Sequence, residues 1–170
     1  MLQPDLTGLA VSTGAAERAA HSEARFLADL LTKAFDQPWD EAKVRQELLD
    51  DSSVSATFLI REAGVVVATA SARQVPDFPD CGYVHWVASD PGLRGQGLGR
   101  RATLAVLQQV LADGLTQAVL ETDDDRLPAI RLYLSLGFVP TYRDSSHQNR
   151  WSAVFAALHG RRSAEPAPTS

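Results

Sequence analysis

The sequence predicts a mixed α/β fold of the α+β kind, in which a sheet is flanked by helices. Two observations predict this fold: an early pair of strand-like segments is joined by a tight turn, and the later strands alternate with helices. The chain has 170 residues, 45% of them hydrophobic and 22% charged, which is typical of a single folded domain. We expect that domain to cover residues 15–160, between a loose segment at 1–14 and a disordered tail at 161–170.

The first half of the domain is predicted to contain two helices, a hairpin and a third strand. Apolar residues at helical spacing indicate the first helix, and a proline followed by two acidic residues marks the start of the second. The Ala63-Gly64 pair separates the two strands of the hairpin. In order, the segments are a helix over Ala15–Phe35, a helix that begins near Pro38, strands over Thr57–Glu62 and Val65–Arg73, and a strand over Tyr83–Ala88.

The second half is predicted to alternate helices with short strands. A long helix follows a glycine-rich stretch, and apolar residues at i, i+3, i+4 and i+7 give the last helix one apolar face. In order, the segments are a helix that runs through Leu111 and is stopped by Gly114, a strand over Ala118–Glu121, a helix from Pro128 to Gly137, a strand over Phe138–Tyr142 and a helix around Trp151–Leu158. This alternation predicts that the sheet is mixed.

The composition argues against several classes of protein. The chain has 16 basic and 21 acidic residues, a formal charge of −5, and nucleic-acid binding needs a basic face, so we expect no nucleic-acid partner. The single cysteine, Cys81, cannot form an intramolecular disulfide or a cysteine-rich zinc site, and we expect no metal. The apolar runs are too short to span a membrane and the first residues lack a secretion signal, so we expect a cytoplasmic protein without a membrane partner.

The stretch from Val84 to Gly99 carries the clearest functional signal. It reads V-H-W-V-A-S-D-P-G-L-R-G-Q-G-L-G, a strand that runs into a loop with four glycines and then into a helix. Glycine lets backbone N–H groups approach a ligand closely, and a helix N-terminus adds unpaired donors and partial positive charge. Together with Arg94, Arg100 and Arg101, these features predict a phosphate-binding site; the alternative is a turn that merely connects two elements.

A dinucleotide-binding loop is a second interpretation of these glycines. Gly97, Gly99 and Ala102 fit that fingerprint, and Glu121 stands where a ribose-binding acid would be. Two features count against it: residues 90–96 separate the strand from Gly97, and the preceding strands form a hairpin where a dinucleotide fold would begin with a βαβ unit. No G-x-x-x-x-G-K-[ST] motif occurs, so the loop is not a P-loop.

Two blocks of the sequence together resemble the GNAT-type N-acetyltransferases. The first, Arg94-Gly95-Gln96-Gly97-Leu98-Gly99, is similar to the family's Arg/Gln-x-x-Gly-x-Gly/Ala pyrophosphate loop. The second, from Pro128 to Phe138, looks like the family's A-x-x-x-Y-x-x-x-G-F helix and strand. The resemblance covers residues 56–142 and implies a GNAT-like sheet of about six strands, with a C-terminal helix in place of a clear seventh strand. The runs E-T-D-D-D-R and S-H-Q-N-R-W resemble a branch of the family that includes relatives of mycothiol synthase.

The resemblance implies that acetyl-CoA binds in a gap between two parallel strands, Tyr83–Ser89 and Ala118–Glu121. The backbone of the first strand would pair with the pantetheine arm, and the loop N–H groups would hold the pyrophosphate. An N–H near Val87 would polarise the thioester carbonyl and stabilise the tetrahedral oxyanion. The implied cofactor-binding residues are Val87, Ala88 and Ser89 on the strand, Arg94, Gly95, Gln96, Gly97, Leu98, Gly99 and Arg100 in the loop, and Arg126 where the family often has asparagine.

The resemblance also implies two catalytic residues, a base and an acid. His85 stands where the family often has a glutamate base, and an imidazole with a pKa of about 6.5 is a competent base at neutral pH. Alternatively, His85 only packs in a half-buried strand, and His147 or a water is the base. Tyr133 matches the family's general acid, which reprotonates the CoA thiolate; alternatively, Tyr133 packs in the core or positions the thiol.

The resemblance therefore implies an N-acetyltransferase that moves the acetyl group of acetyl-CoA to a primary amine by direct attack in a ternary complex. The acceptor would be a small-molecule amine or a peptide, which the sequence does not identify. Homodimers are common in the family, so a homodimer stays open here. The alternatives are a non-catalytic acyl-CoA-binding module and, less favoured, a dinucleotide-binding oxidoreductase.

Overall fold

The computed structural model describes residues 2–3, 6 and 16–160. Most of the segment expected to be loose at 1–14, and the whole tail expected to be disordered at 161–170, therefore lie outside the described residues. The chain divides into two compact units, a larger one over Asp5–Val119 and a smaller one that combines Met1–Pro4 with Leu120–Ser170. The limits of a single domain at 15–160 stay a prediction.

Seven strands and five α-helices are found in the described residues. The strands are β1 (Leu2–Gln3), β2 (Ala16–Arg18), β3 (Val54–Glu62), β4 (Val65–Arg73), β5 (Cys81–Ser89), β6 (Gln117–Val119) and β7 (Val139–Pro140). The helices are α1 (Ala24–Phe35), α2 (Glu41–Val44) with a π-helical continuation at Arg45–Leu49, α3 (Leu98–Ala112), α4 (Leu127–Ser135) and α5 (Ser145–Gly160). Short 3-10 turns lie at His21–Glu23 and Pro91–Leu93.

The larger unit is built on a five-stranded mixed sheet in the order β2-β3-β4-β5-β6. Its first four strands are antiparallel neighbours, and β6 pairs with β5 in parallel. The hairpin of β3 and β4 turns at Ala63-Gly64, as the sequence predicts. The parallel pair requires a crossover connection, which α3 supplies. The mixed α/β prediction is therefore confirmed.

Helices cover both faces of this sheet. Gly82 of β5 lies against Val110 of α3, which puts α3 on one face. Side chains alternate along a strand, so His85 points to the opposite face. On that face, α1 and α2 bury Leu59 of β3 and Ala88 of β5 in an apolar cluster. The larger unit thus has three layers, helix, sheet and helix. Residues 90–97, which connect β5 to α3, lie at one end of the sheet.

The helix predicted over Ala15–Phe35 is wrong in its first third. Ala16–Arg18 forms the edge strand β2, antiparallel to β3, and α1 begins only at Ala24. The Ala19 N–H continues the pairing with a 2.8 Å bond to the carbonyl of Thr57. These pairing bonds override the helix propensity of the segment, because propensity is a weak local preference that tertiary contacts outweigh.

The smaller unit contains α4, α5 and a two-stranded ladder of β1 with β7. Ile130, Phe138 and Trp151 are buried in it. The strand predicted over Phe138–Tyr142 shortens to Val139–Pro140 and pairs with Leu2–Gln3. The sheet predicted to have about six strands is therefore a five-stranded sheet with a separate ladder, and α5 follows where a seventh strand would come.

Two kinds of feature are missing from the part of the chain that the structure describes. None of its helices combines the length and the apolar character needed to cross a bilayer. In the same residues, no three or more His, Cys, Asp and Glu side chains are grouped so that they could hold a metal ion.

A side chain at position 82 would collide with α3. A Cβ built on Gly82 lies 2.2 Å from a methyl carbon of Val110. We predict that Gly82→Ala lowers the free energy of unfolding by about 1–3 kcal/mol, because a close-packed interior does not open readily for a methyl group. Urea denaturation measures this, with Gly160→Ala at an unobstructed position as the control. A second Val110→Ala substitution removes the obstacle, so losses that simply add in the double variant would contradict the collision.

Candidate active site

Strand β5 contains one residue more than β4 opposite it. His85 pairs with Ser71 and Ala88 pairs with Thr69, so two residues of β5 face a single residue of β4. This is a β-bulge, and Trp86 within it has a φ of +46°. A non-glycine residue in the left-handed region costs free energy, so contacts elsewhere must hold this conformation.

Beyond the bulge, β5 has a side that β6 does not cover. Among the described residues, β6 pairs with β5 only as far as Tyr83, whereas β5 continues to Ser89. The Asp90 N–H donates to the carbonyl of Val67 in β4 at 2.8 Å. Because N–H directions alternate along a strand, the N–H groups of Val87 and Ser89 point away from β4. This end of β5 therefore presents main-chain groups for pairing with an extended ligand.

The loop after β5 leads these groups into a helix N-terminus. Gly95 and Gly97 have φ values of +84° and +72°, which glycine adopts without the strain that a side chain would bring. The first internal bond of α3 runs from the Arg101 N–H to the Gly97 carbonyl, so the N–H groups of residues 98–100 have no partner within the helix. Unpaired donors and the partial positive charge of the helix end together favour an anion.

Two contacts fix the beginning of the loop. The carboxylate of Asp90 accepts a bond from the Lys33 Nζ of α1 at 2.8 Å and another from the Gly92 N–H at 2.7 Å. The lysine first, and then the backbone bond, hold the pKa of Asp90 below its ordinary value. The loop is thus tied both to its own backbone and to α1.

Three arginines lie in or just after the loop. Arg94 and Arg100 are exposed. Arg101 pairs with Glu62 of β3, with 3.2 Å between Nη1 and Oε1. The sequence alone does not separate these roles: the structure leaves Arg94 and Arg100 as the side chains best placed to meet an anion, while Arg101 is bound to the sheet.

His85 lies in a polar strip that crosses the sheet. The register aligns it with Ser71 and Thr57, whose hydroxyl oxygens are 2.9 Å apart. Its Nε2 is buried and has no hydrogen-bond partner among the described residues. Burial, and next the positive charge of Arg73, lower the pKa of His85 to about 4. The imidazole is therefore neutral at pH 7.

Aromatic rings pack on the bulge. The Trp86 ring lies 5.2 Å from the ring of Phe35, 4.7 Å from that of Trp39 and 5.3 Å from that of His85, each in an edge-on arrangement. The Nε1 atoms of Trp39 and Trp86 are buried without a hydrogen-bond partner in the described part of the chain. Ring packing holds these indoles in place.

Tyr133 is a buried residue of α4 in the smaller unit. Its ring lies 5.8 Å from that of Phe138, and 6% of the residue is exposed. Burial raises the pKa of Tyr133 to about 12, and the positive charge of Arg126 works in the opposite direction. Arg126 itself pairs with Asp123, with Nε 2.9 Å from Oδ2. The phenol is therefore protonated at every pH at which the protein is expected to work.

His147, the second candidate base, lies near the start of α5 in the smaller unit. Its Nδ1 accepts a hydrogen bond from the Arg143 N–H at 3.0 Å. It also lines a small cavity with Arg150 and Trp151. The occupied Nδ1 leaves Nε2 as the nitrogen that would have to act as a base.

The predicted site residues divide between the two units. The larger unit holds His85, Val87, Ala88, Ser89, Arg94, Gly95, Gln96, Gly97, Leu98, Gly99 and Arg100, and the smaller unit holds Arg126, Tyr133 and His147. Within the larger unit, the residues predicted to bind the cofactor form two runs, 87–89 at the end of β5 and 94–100 in the loop and the first turn of α3, which residues 90–93 connect.

No signal in the sequence marks Trp86 as part of the site. Apart from His85, the residues from Val84 to Ala88 are apolar, so no change of period marks an inserted residue. Asp90 carried a better signal, because Asp before Pro and Gly is a frequent turn-forming pattern in which the carboxylate caps a nearby N–H. Only the strand pairing reveals the bulge.

The fold and the loop define a mixed α/β protein whose sheet edge and helix N-terminus form one continuous main-chain surface. The family model described as the acetyltransferase (GNAT) family matches residues 24–138, and the chain belongs to that family. The resemblance carried by the glycine loop and the tyrosine-bearing helix is thereby confirmed.

Relatives and solved structures agree with the family. The mycothiol acetyltransferase of Thermobispora bispora is 49% identical over 86 residues, 48% of this chain and 29% of that protein. A GNAT-family protein from Novosphingobium aromaticivorans has a TM-score of 0.64 and 25% identity, over 82% of this chain and 59% of that one. The protein yncA from Salmonella typhimurium, solved with its cofactor acetyl-CoA, has a TM-score of 0.61 and 22% identity, over 77% and 82%. The chain spans less than a third of the length of the curated relatives it matches.

The neutral, buried imidazole makes stability depend on pH. An ordinary histidine binds a proton below a pKa of about 6.5, whereas folded His85 does so only below about 4. Between these values the unfolded chain binds more protons, so the free energy of unfolding rises with pH through this window. We predict that His85 accounts for about 3 kcal/mol of the stability lost between pH 7 and pH 4.

Urea denaturation across that range, with His85→Phe as the comparison, measures this contribution. Phenylalanine keeps a ring beside Trp86 but carries no titrating group. We expect the variant to lose less stability on acidification than the parent chain does. Parallel curves for the two proteins would show that the proton uptake comes from elsewhere.

Proposed function

We propose that this chain is an N-acetyltransferase that transfers the acetyl group of acetyl-CoA to a primary amine. The observation that carries the proposal is the uncovered side of β5 running directly into the exposed glycine loop and the α3 N-terminus. An extended arm with amide groups, followed by a diphosphate, matches that succession of donors and acceptors. CoA has both parts. Membership of the GNAT family supports acetyl-CoA as the donor.

In this proposal the main chain does most of the donor binding. The Ser89 N–H would bond an amide of the pantetheine arm and the Val87 N–H would reach the thioester carbonyl at the end of that arm, because both N–H groups point away from β4. Ala88 pairs with Thr69 of β4, so it would line the arm without bonding to it. The diphosphate would be held by the N–H groups and side chains of Arg94, Gly95, Gln96, Gly97, Leu98, Gly99 and Arg100. The contact proposed for Arg126 would have to compete with its pairing to Asp123.

The chemistry would be a direct attack in a ternary complex. The nitrogen of a neutral amine attacks the thioester carbonyl carbon, and negative charge develops on the carbonyl oxygen. The Val87 N–H would stabilise that oxyanion. The C–S bond then breaks, the amide forms, the nitrogen loses a proton and the CoA thiolate gains one.

His85 would receive the proton only after the attack has begun. An ammonium with a pKa of about 10 would give its proton to an imidazole with a pKa of about 4 only at a cost of about 8 kcal/mol. We therefore propose that the amine enters neutral. As the N–C bond forms, the N–H becomes acidic, and His85, directly or through a water, is then strong enough to accept the proton.

Tyr133 would act on the leaving sulfur. A phenol with a pKa of about 12 is a weaker acid than a thiol with a pKa of about 8.5, by about 5 kcal/mol in a full proton transfer. A hydrogen bond from the phenol to the thiolate has no such cost. We propose that this bond stabilises the leaving thiolate. The thiolate takes a proton from solvent as CoA departs, and His85 gives to solvent the proton that it received from the amine.

We propose a small-molecule amine or a peptide N-terminus as the acceptor. The named mycothiol acetyltransferases match only part of their length here, so they suggest a donor chemistry and leave the acceptor to be identified by assay. A non-catalytic acyl-CoA-binding module is the competing function, and it differs by binding acetyl-CoA without turnover.

Gly97→Glu is predicted to abolish acetyl-CoA binding. The substitution introduces a carboxylate and a strained φ at the point where the diphosphate would be held, so the dissociation constant measured by calorimetry should rise by about a hundredfold or more. Gly64→Glu is a matched control, because Gly64 also has a positive φ, of +81°, and an equally open position, in the β3–β4 turn. Unimpaired binding by Gly97→Glu, or an equal loss in Gly64→Glu, would contradict donor binding at the loop.

Tyr133→Phe is predicted to lower kcat about ten- to hundredfold while the dissociation constant of acetyl-CoA stays unchanged, because only the leaving-group bond is lost. CoA thiol release measures kcat over a panel of glucosamine, spermidine and L-alaninamide. Tyr142→Phe at an exposed tyrosine is the control. An unchanged kcat would remove Tyr133 from the mechanism. Tight acetyl-CoA binding with no turnover of any amine would favour the binding module.

A further inference from the structure

We infer that Trp86 is a positioning residue: its ring packing against α1 and the α1–α2 loop maintains the β5 bulge, and the bulge sets the direction of the Val87 N–H. This inference rests on the proposed function, because it concerns how the acetyl carbonyl is polarised. In this role the Trp86 side chain contacts neither the substrates nor the reacting atoms. It acts through the backbone of the residue that follows it, Val87.

The backbone of Trp86 is unusual for its place in the fold. Among the described residues, three non-glycine residues have a positive φ: Asp36, Ala63 and Trp86. Asp36 caps the end of α1 and Ala63 lies in the β3–β4 turn, where left-handed residues are common. Trp86 lies inside a strand with ladder partners before and after it. An aromatic residue is there although glycine would adopt the same φ without strain.

The contacts of the indole explain why tryptophan stands at this position. Two rings meet it edge-on, Phe35 from the last turn of α1 and Trp39 from the loop that follows. The loop is itself fixed, because the Thr32 hydroxyl accepts a 2.9 Å bond from the Trp39 N–H and donates a 3.2 Å bond to the Trp39 carbonyl. The Nζ of Lys43 lies over the Trp39 ring, 4.2 Å from its centroid. The strained residue is therefore held from outside its own strand.

Relaxation of the bulge would change the direction of the backbone groups of the last β5 residues, 87–89. Without the extra residue, Val87 would take the place opposite Thr69 that Ala88 now occupies. A shift of one residue exchanges the two sides of a strand, so the Val87 N–H would then point towards β4. The donor proposed for the acetyl carbonyl would be lost, while the glycine loop and the α3 N-terminus would keep their conformation.

Three substitutions at position 86 separate this role from simple packing. Trp86→Phe keeps an aromatic ring, and it sacrifices no hydrogen bond because Nε1 has no partner among the described residues. Trp86→Gly loses the ring but adopts the positive φ freely, whereas Trp86→Ala loses the ring and keeps the strain. Packing alone would rank alanine equal to or better than glycine. The inference predicts the reverse order.

Infrared spectroscopy of [1-13C]acetyl-CoA bound to each variant reads the carbonyl directly, without any acceptor. In the parent chain and in Trp86→Phe, we expect the thioester C=O band of the bound donor at a lower frequency than in free acetyl-CoA. In Trp86→Gly the shift should be partial. In Trp86→Ala the band should return to the frequency of free acetyl-CoA. With the fastest amine of the panel, kcat should fall by less than about threefold in Trp86→Phe, by about tenfold in Trp86→Gly and by about a hundredfold in Trp86→Ala. The dissociation constant of acetyl-CoA should rise by less than about tenfold, because the intact loop still holds the diphosphate where the Ser89 bond to the arm is lost.

Two further variants complete the test. Leu30→Ala opens a cavity in the same apolar cluster and should leave the carbonyl band unchanged, which controls for lost stability. Phe35→Leu removes one supporting ring without altering Trp86, so it should weaken the shift even if Trp86→Ala does not fold. A glycine variant no better than alanine, an unshifted band in the parent chain, or an equal loss in Leu30→Ala would overturn the inference. A parent chain that does not bind acetyl-CoA at all would instead overturn the proposed function, and the inference with it.

Discussion

The inserted residue in β5 is the constraint on which the rest of the candidate site depends. A regular strand would direct alternate groups evenly to its two neighbours, whereas the bulge reassigns them from Val87 onwards. Because β6 ends early, the reassigned groups are available to a ligand. The strain of a left-handed tryptophan lies just before the part of β5 that β6 leaves uncovered, where we propose that the donor pairs.

Main-chain groups, more than charged side chains, give the proposed donor site its character. The chain carries a formal charge of −5, and one of the three arginines near the loop is bound to Glu62. What attracts an anion here is a set of oriented N–H groups and the end of a 15-residue helix. Such groups need an accurate backbone more than a particular residue type, which is why the loop is pinned at Asp90 before the glycines begin.

The features that could be predicted from the sequence are those encoded locally. Glycines specify the positive φ at Gly95 and Gly97, and their place between a strand and a helix predicts the anion site. The strand at Ala16–Arg18 could not be predicted in this way, because it exists only through pairing with β3. The bulge at Trp86 likewise depends on residues distant in sequence, because Ser71 and Thr69 set the register. The lowered pKa of His85 depends first on its burial in the folded chain and then on the charge of Arg73.

The last turn of α1 contacts both the bulge of β5 and the start of the glycine loop. Thr32 fixes the loop that carries Trp39, Lys33 reaches Asp90 at the start of the glycine loop, and Phe35 packs on Trp86. Three neighbouring side chains of one helix thus hold both the end of β5 and the start of the glycine loop. Because both segments contact the same helix, the distance between the end of β5 and the start of the glycine loop is set by a rigid element rather than by the loop backbone.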